Sequence, residues 1–148
     1  MITDFIATIY EWFGYNTDLG THLRGWDITC SGFIGQDLYL QIFITMVAIN
    51  LGLFVVMYLI IDKFTPRFGT KLSWWIMAVI GLVINFGIAY SLPATIQPCE
   101  TLTFGSFDLV LYGFANAFWS LIVFALLTSF PFPRNLSTNC RLTTFWKP

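Results

Sequence analysis

The chain has 148 residues, of which 57% are hydrophobic and only 10% carry a charge. Soluble domains carry roughly 25% charged residues, so this composition excludes an ordinary soluble domain. The net charge of -1 provides neither a basic field for nucleic acid nor a polybasic segment for anionic lipid. We therefore expect the lipid bilayer, and no nucleic acid, among the partners of this chain.

The leader, residues 1–36, is predicted to be extracytoplasmic and to contain a short amphipathic helix near residues 2–13. Apolar residues recur there at helical spacing, namely Ile2, Phe5, Ile6, Ile9 and Phe13. Such a helix either lies in the membrane interface or packs its apolar stripe on the neighbouring spans. The sequence leaves both arrangements open.

Three long apolar runs predict three transmembrane helices. The first, about residues 38–61, is uncharged, and as a helix of about 36 Å it exceeds a hydrocarbon core of about 30 Å. The second covers about residues 72–92, where Pro93 is expected to end the helix, and the third covers about residues 108–130. The predicted fold class is an all-α integral membrane protein with a single membrane domain over residues 1–148.

The basic residues predict the direction of the spans. Lys63, Arg67 and Lys71 lie between the first two spans, and the tail of residues 131–148 holds three more, whereas the leader has only Arg24. Because basic residues accumulate on the cytoplasmic side, the N-terminus is predicted outside and the C-terminal tail in the cytoplasm. The predicted location is the bacterial inner membrane.

This orientation predicts the side of the membrane on which each of the three cysteines lies. Cys30 and Cys99 fall outside, while Cys140 falls in the reducing cytoplasm. We predict a disulfide between Cys30 and Cys99, which would stabilise the fold by roughly 4 kcal/mol in the chain-entropy model. The alternative is that both thiols are free.

Helix association in lipid relies on small and polar residues, and each predicted span carries a row of them. In the first span, the row consists of Gln41, Thr45, Ala48 and Gly52. The second and third spans contribute further members, chiefly Gly81, Asn85, Gly113, Asn116 and Ser120. We expect these residues to join the helices or to line a pore between copies of the chain.

Asn50 lies nearly opposite the row of the first span, at 100° per residue. In a bundle packed through the rows, its amide would face lipid at a cost on the order of 2 kcal/mol or more. We therefore expect Asn50 to bond another chain or water, which predicts an oligomer or membership of a larger complex. The alternative is that the helix tilts or rotates, so that Asn50 bonds within its own bundle.

No recognisable catalytic motif occurs, and no charged or histidine side chain lies in the middle of a span. A lone histidine cannot supply paired haem ligands, and we predict neither a cofactor, nor a metal site, nor enzymatic activity. The polar residues predicted on the outer side lack catalytic spacing; they are His22, Asp27, Asp37, Glu100 and Asp108.

The function predicted from these features is that of a small membrane protein that assembles into a channel-like or membrane-permeabilising homo-oligomer. The polar rows explain an accessory, non-catalytic subunit of a larger membrane complex equally well. Such a complex would serve respiration, secretion or transport.

Overall fold

The structure is a computed structural model, and it describes residues 2–27, 32–33, 35, 37–61, 71–96 and 105–129. The leader forms two short helices, α1 (Ile2–Glu11) and α2 (Thr17–Leu23). A two-residue antiparallel ladder follows, in which β1 (Trp26–Asp27) pairs with β2 (Gly32–Phe33). This small ladder is the only departure from helix among the regular elements of the described ranges.

Three long helices complete the fold. They are α3 (Leu38–Val55), which continues as a π-helical segment over Val56–Ile61, then α4 (Lys71–Thr95) and α5 (Ser106–Ser129). Each is long and apolar enough to cross a membrane, which confirms the prediction of three such helices. α3 begins where predicted because the carboxylate of Asp37 accepts a 3.1 Å hydrogen bond from the backbone N–H of Leu40.

The prediction that Pro93 ends the second span is wrong, because α4 continues to Thr95. Proline removes one backbone donor, but α4 extends only two residues beyond it. The N–H of Ile96 still donates to the carbonyl of Leu92 at 3.2 Å, and the hydroxyl of Thr95 donates to the same carbonyl at 2.9 Å. These two bonds hold the backbone helical across the proline.

α1 and α2 both pack on one end of the three-helix bundle, and we call these two helices the cap. In α1, Ile6 and Tyr10 are 3% and 1% exposed, one helical turn apart, whereas Phe5 is 67% exposed. The predicted apolar stripe is therefore divided: Ile6 packs on the spans, and Phe5 stays on the surface. Trp12, just after α1, is 82% exposed.

The interior of the bundle has three layers along the long helices. An apolar cluster at the capped end includes Leu19, Leu38 and Tyr112, and a second cluster at the opposite end includes Phe54 and Phe124. Between them, near the midpoint of every span, lie four buried polar residues that we call the polar layer: Asn50, Asn85, Asn116 and Ser120.

Close approach of the long helices depends on glycine. A Cβ at Gly113 of α5 would lie 2.8 Å from the ring of Phe86 on α4, and one at Gly81 would lie 3.0 Å from Leu53 on α3. At the end opposite the cap, the indole N–H of Trp74 donates to the hydroxyl of Thr128 at 3.1 Å. The contacts of Gly113 and Trp74 join α4 and α5 on both sides of the polar layer, and that of Gly81 joins α4 to α3.

Candidate functional site

The hydroxyl of Ser120 is the centre of the polar layer. Its Oγ accepts hydrogen bonds from the side-chain amides of Asn50 at 3.0 Å and Asn85 at 2.9 Å. The hydroxyl of Ser120 also donates to Asn50 Oδ1, with Oγ at 3.3 Å from that oxygen. One hydroxyl on α5 thus joins side chains from α3 and α4.

The amides of the polar layer also bond backbone carbonyls. Asn50 donates to the carbonyl of Met46 at 2.8 Å and Asn85 to that of Gly81 at 2.9 Å, each one turn earlier in its own helix. Asn116 instead donates across the bundle to the backbone carbonyl of Asn85 at 2.8 Å. Amides and a hydroxyl do not change charge near neutral pH, so the layer is suited to holding helices together.

The expectation that Asn50 faces away from the bundle is wrong. Asn50 is fully buried, and its side chain bonds Ser120 within the same chain. The cost of an unpaired amide in lipid explains this orientation, since the rotation of α3 that buries Asn50 also satisfies it. The structure therefore realises the alternative arrangement, in which the amide bonds inside its own bundle.

The row predicted on the first span consequently lies on the outer surface of α3. Gln41, Ala48 and Gly52 are exposed, and Thr45 is half-buried, with its hydroxyl donating to the carbonyl of Gln41 at 2.8 Å. A Cβ at Gly52 would have nothing within 4 Å. The residues of the other two rows, in contrast, are buried inside the bundle: Gly81, Asn85, Gly113, Asn116 and Ser120.

The cap is bonded to the spans by side chains that the sequence did not single out. Tyr10 of α1 donates to Asn116 Oδ1 on α5 at 2.6 Å. The hydroxyls of Tyr15 and Tyr39 share a hydrogen bond of 2.6 Å, which links the cap to α3. Their spacing gave no signal, because neither Tyr10 nor Tyr15 belongs to the apolar stripe of the leader.

Two further bonds hold α2 and its N-cap. The backbone N–H of Asn16 donates to Asp108 Oδ1 at 3.1 Å, at the start of α5. The buried ring of His22 donates through Nε2 to the carbonyl of Pro93 at 3.2 Å, near the end of α4. This carbonyl belongs to the last turn of α4, where main-chain acceptors lack helical partners. Each long helix is thus bonded to the cap.

Four tyrosines fill the space under the cap. The ring of Tyr112 lies 5.4 Å from that of Tyr10, 5.6 Å from that of Tyr15 and 6.0 Å from that of Tyr39, measured between centroids. Burial raises the pKa of both Tyr10 and Tyr15 well above the ordinary value of a phenol. These groups therefore stay neutral in the folded protein at pH values where a free tyrosine begins to ionise.

The polar residues predicted on the outer side do not converge on a common site. Asp37 caps α3, and His22 contacts Pro93. The carboxylate of Asp108 accepts hydrogen bonds from the backbone N–H groups of Gly105 and Asn16. The side chain of Asp27 and the whole of Glu100 lie outside the described residues, as do Cys30 and Cys99. In the ranges that the structure describes, no group of three metal-binding side chains occurs.

A cavity of about 290 Å³ lies on the cap, between the end of α1 and one side of α2. It is lined by a charged pair, Glu11 and Arg24, and by Tyr15, Asn16, Thr17, Gly20 and Thr21. Arg24 Nη2 lies 2.7 Å from Glu11 Oε1. No residue of this cavity was singled out from the sequence as a binding residue.

No protein-family model, no curated protein and no solved structure matches this chain.

Proposed function

We propose that this chain is a non-catalytic membrane protein that assembles with another transmembrane helix through the exposed face of α3. In the proposed orientation, the cap lies outside and the C-terminal tail lies in the cytoplasm of a bacterial cell. The basic residues between the first two spans and in the C-terminal tail support this direction, because six of the seven would lie on the cytoplasmic side.

The observation that carries the proposal is the position of the small residues of α3. Ala48 and Gly52 are one helical turn apart and both are exposed, and the Cβ position of Gly52 is open. Small residues at this spacing allow two backbones to approach closely in lipid, where no hydrophobic force drives helices together. The corresponding residues of α4 and α5 are already used inside the bundle.

The same packing counts against a pore lined by asparagines. Asn50, Asn85 and Asn116 are each 0% exposed in one copy of the chain, so they cannot surround an axis between copies unless the bundle opens. Assembly through α3 requires no such opening. It accommodates both a homo-oligomer and an accessory subunit of a larger membrane complex.

The test is a leucine substitution at Gly52 in the full chain. In nanodiscs at low density, we expect wild-type protein to form cross-linked oligomers or to retain a foreign membrane subunit, and Gly52→Leu to reduce that product about tenfold. Gly87→Leu is the matched control, because Gly87 is also exposed on a span and its Cβ position is also open.

Two results would overturn the proposal. One is wild-type protein that stays monomeric without a partner, and the other is equal loss of assembly in the two leucine variants. The identity of the retained product distinguishes self-assembly from a larger complex. Planar-bilayer conductance of the purified homo-oligomer then tests the channel-like function, which requires a current that Gly52→Leu reduces in proportion to the loss of assembly.

A further inference from the structure

The cavity on the cap contains a charged pair whose hydrogen-bonding capacity is only partly used. Glu11 Oε1 accepts from Arg24 Nε at 3.2 Å and Nη2 at 2.7 Å, and from the hydroxyl of Tyr39 at 3.4 Å. Within the described part of the chain, Glu11 Oε2 and Arg24 Nη1 make no hydrogen bond. One carboxylate oxygen and a set of guanidinium donors therefore remain available to a ligand.

Two threonines line the same cavity and add acceptors. Thr21 Oγ1 donates its proton to the carbonyl of Thr17 at 2.9 Å, and Thr17 Oγ1 donates to Asn16 Oδ1 at 3.3 Å. Because both protons are already donated within the protein, the hydroxyl oxygens offer lone pairs rather than donors. The cavity thus combines several acceptors with one cationic donor.

The charge of the pair restricts the ligand further. The side chains of Arg24 and Glu11 are 48% and 39% exposed, and the hydrogen bond to Glu11 raises the pKa of Arg24. The guanidinium therefore stays charged, and it neutralises the carboxylate beside it. A ligand with a single charge would be attracted by one side chain of this pair and repelled by the other. A zwitterion, in contrast, can place its positive group on Glu11 and its negative group on Arg24.

Gly20 contributes to the shape of the cavity. A Cβ at this position would lie 3.5 Å from Glu11 Oε1 and 3.6 Å from the hydroxyl of Tyr39. The lack of a side chain at this position therefore leaves space on the α2 side of the cavity, beside the carboxylate. The cavity volume of about 290 Å³ is near the lower end for small-molecule sites, which suits a headgroup-sized ligand.

We propose that this cavity binds a primary ammonium joined to a phosphate diester, the zwitterionic chemistry of the ethanolamine phospholipid headgroup. The ammonium donates to Glu11 Oε2 and to the hydroxyl oxygens of Thr17 and Thr21, and the phosphate accepts from the unused N–H groups of Arg24. A quaternary ammonium has no N–H donors, and its usual recognition requires an aromatic cage. The site therefore selects ethanolamine over choline.

The first experiment uses soluble probes with the full chain in an uncharged maltoside detergent. By calorimetric titration, we expect saturable binding of glycerophosphoethanolamine and at least about tenfold weaker binding of glycerophosphocholine, because hydrogen bonds to charged groups are lost. We expect Thr21→Val to weaken glycerophosphoethanolamine binding several-fold. Thr8→Val is the matched control, because the hydroxyl of Thr8 also donates to a carbonyl one turn earlier, at 2.8 Å, but lies outside the cavity.

The second experiment separates a lipid headgroup from a free ligand. Nanodiscs containing phosphatidylethanolamine or phosphatidylcholine are prepared with wild-type protein and the two threonine variants, and retained lipid is measured by native mass spectrometry. Selective retention of phosphatidylethanolamine identifies the headgroup as the ligand. Binding of soluble glycerophosphoethanolamine without lipid selectivity identifies a free ligand, and both results support the site.

Three results would overturn the proposal: no binding in either experiment, equal binding of ethanolamine and choline compounds, or equal effects of Thr21→Val and Thr8→Val. None of them bears on assembly, which is tested at Gly52 on α3. The two proposals therefore fail independently.

Discussion

Tyr10 and Asn116 are joined by a 2.6 Å hydrogen bond that connects the cap to the polar layer of the bundle. Tyr10 donates to Oδ1 of the amide, and the amide nitrogen of Asn116 donates to the carbonyl of Asn85 at 2.8 Å. Both side chains are buried. A change in α1 therefore alters the hydrogen bonding of a residue in the middle of α5.

Tyr10→Phe removes this bond and keeps the ring. We expect the variant to lower the free energy of unfolding by about 1 to 2 kcal/mol, because Asn116 Oδ1 is left buried without its donor. Denaturant titration measures the loss, and hydrogen exchange should show faster opening of α1. Tyr90→Phe, on the exposed side of α4, is the control. Equal stability of the two variants would show that the bond contributes nothing.

Ser120→Ala tests the centre of the polar layer. Two amides lose their shared acceptor, and we expect a loss of about 1 to 2 kcal/mol in the free energy of unfolding. Ser129→Ala is matched on the same helix, since Ser129 is exposed and, among the described residues, its hydroxyl bonds the carbonyl of Ala125 and no other group. A loss no greater in Ser120→Ala than in Ser129→Ala contradicts the role of Ser120.

Alkaline pH should destabilise the cap through Tyr10 and Tyr15. Their pKa values are raised by burial in the folded protein, whereas the unfolded chain ionises near about pH 10. Above that pH the unfolded state holds fewer protons, so the free energy of unfolding falls as pH rises. Below it the contribution of the two tyrosines is constant.

Denaturation midpoints between about pH 8 and 12 measure this effect, with tyrosinate absorbance recorded in parallel. We expect a shallower decline in Tyr15→Phe than in wild type. Ionisation of all tyrosines near pH 10 with the protein still folded would contradict the burial of these two phenols.

Gly113→Ala should disturb the contact between α4 and α5. The added Cβ would lie 2.8 Å from the ring of Phe86, so the ring or the backbone must move. We expect a loss of about 1 to 3 kcal/mol in the free energy of unfolding, as in other overpacked interiors. Gly87→Ala adds the same methyl group to α4 where nothing lies within 4 Å, and it should leave stability unchanged or increase it. The same effect in both variants would show that the close approach is unimportant.

The candidate sites could be predicted only in part. The rows of α4 and α5, which include Asn85 and Ser120, were recognisable because small and polar residues repeat along one face. The cap was recognisable as helical only near α1. For α2, the available signals were Asn16, whose side chain accepts from the N–H of Asp18, and Gly25, whose φ of 90° suits the end of a helix.

The sequence by itself determined the three long helices, because an uncharged apolar run of this length has few folded alternatives and the bilayer thickness sets its extent. Only the tertiary structure decided which face of α3 turns inward. Helical periodicity gives the angle between Asn50 and the Ala48–Gly52 face, but it does not say which of the two meets the bundle. The inward orientation of Asn50 is stabilised by Ser120, because the hydroxyl of this residue accepts a hydrogen bond from the amide of Asn50 across the bundle. The small residues of α3 are left on the surface as a result.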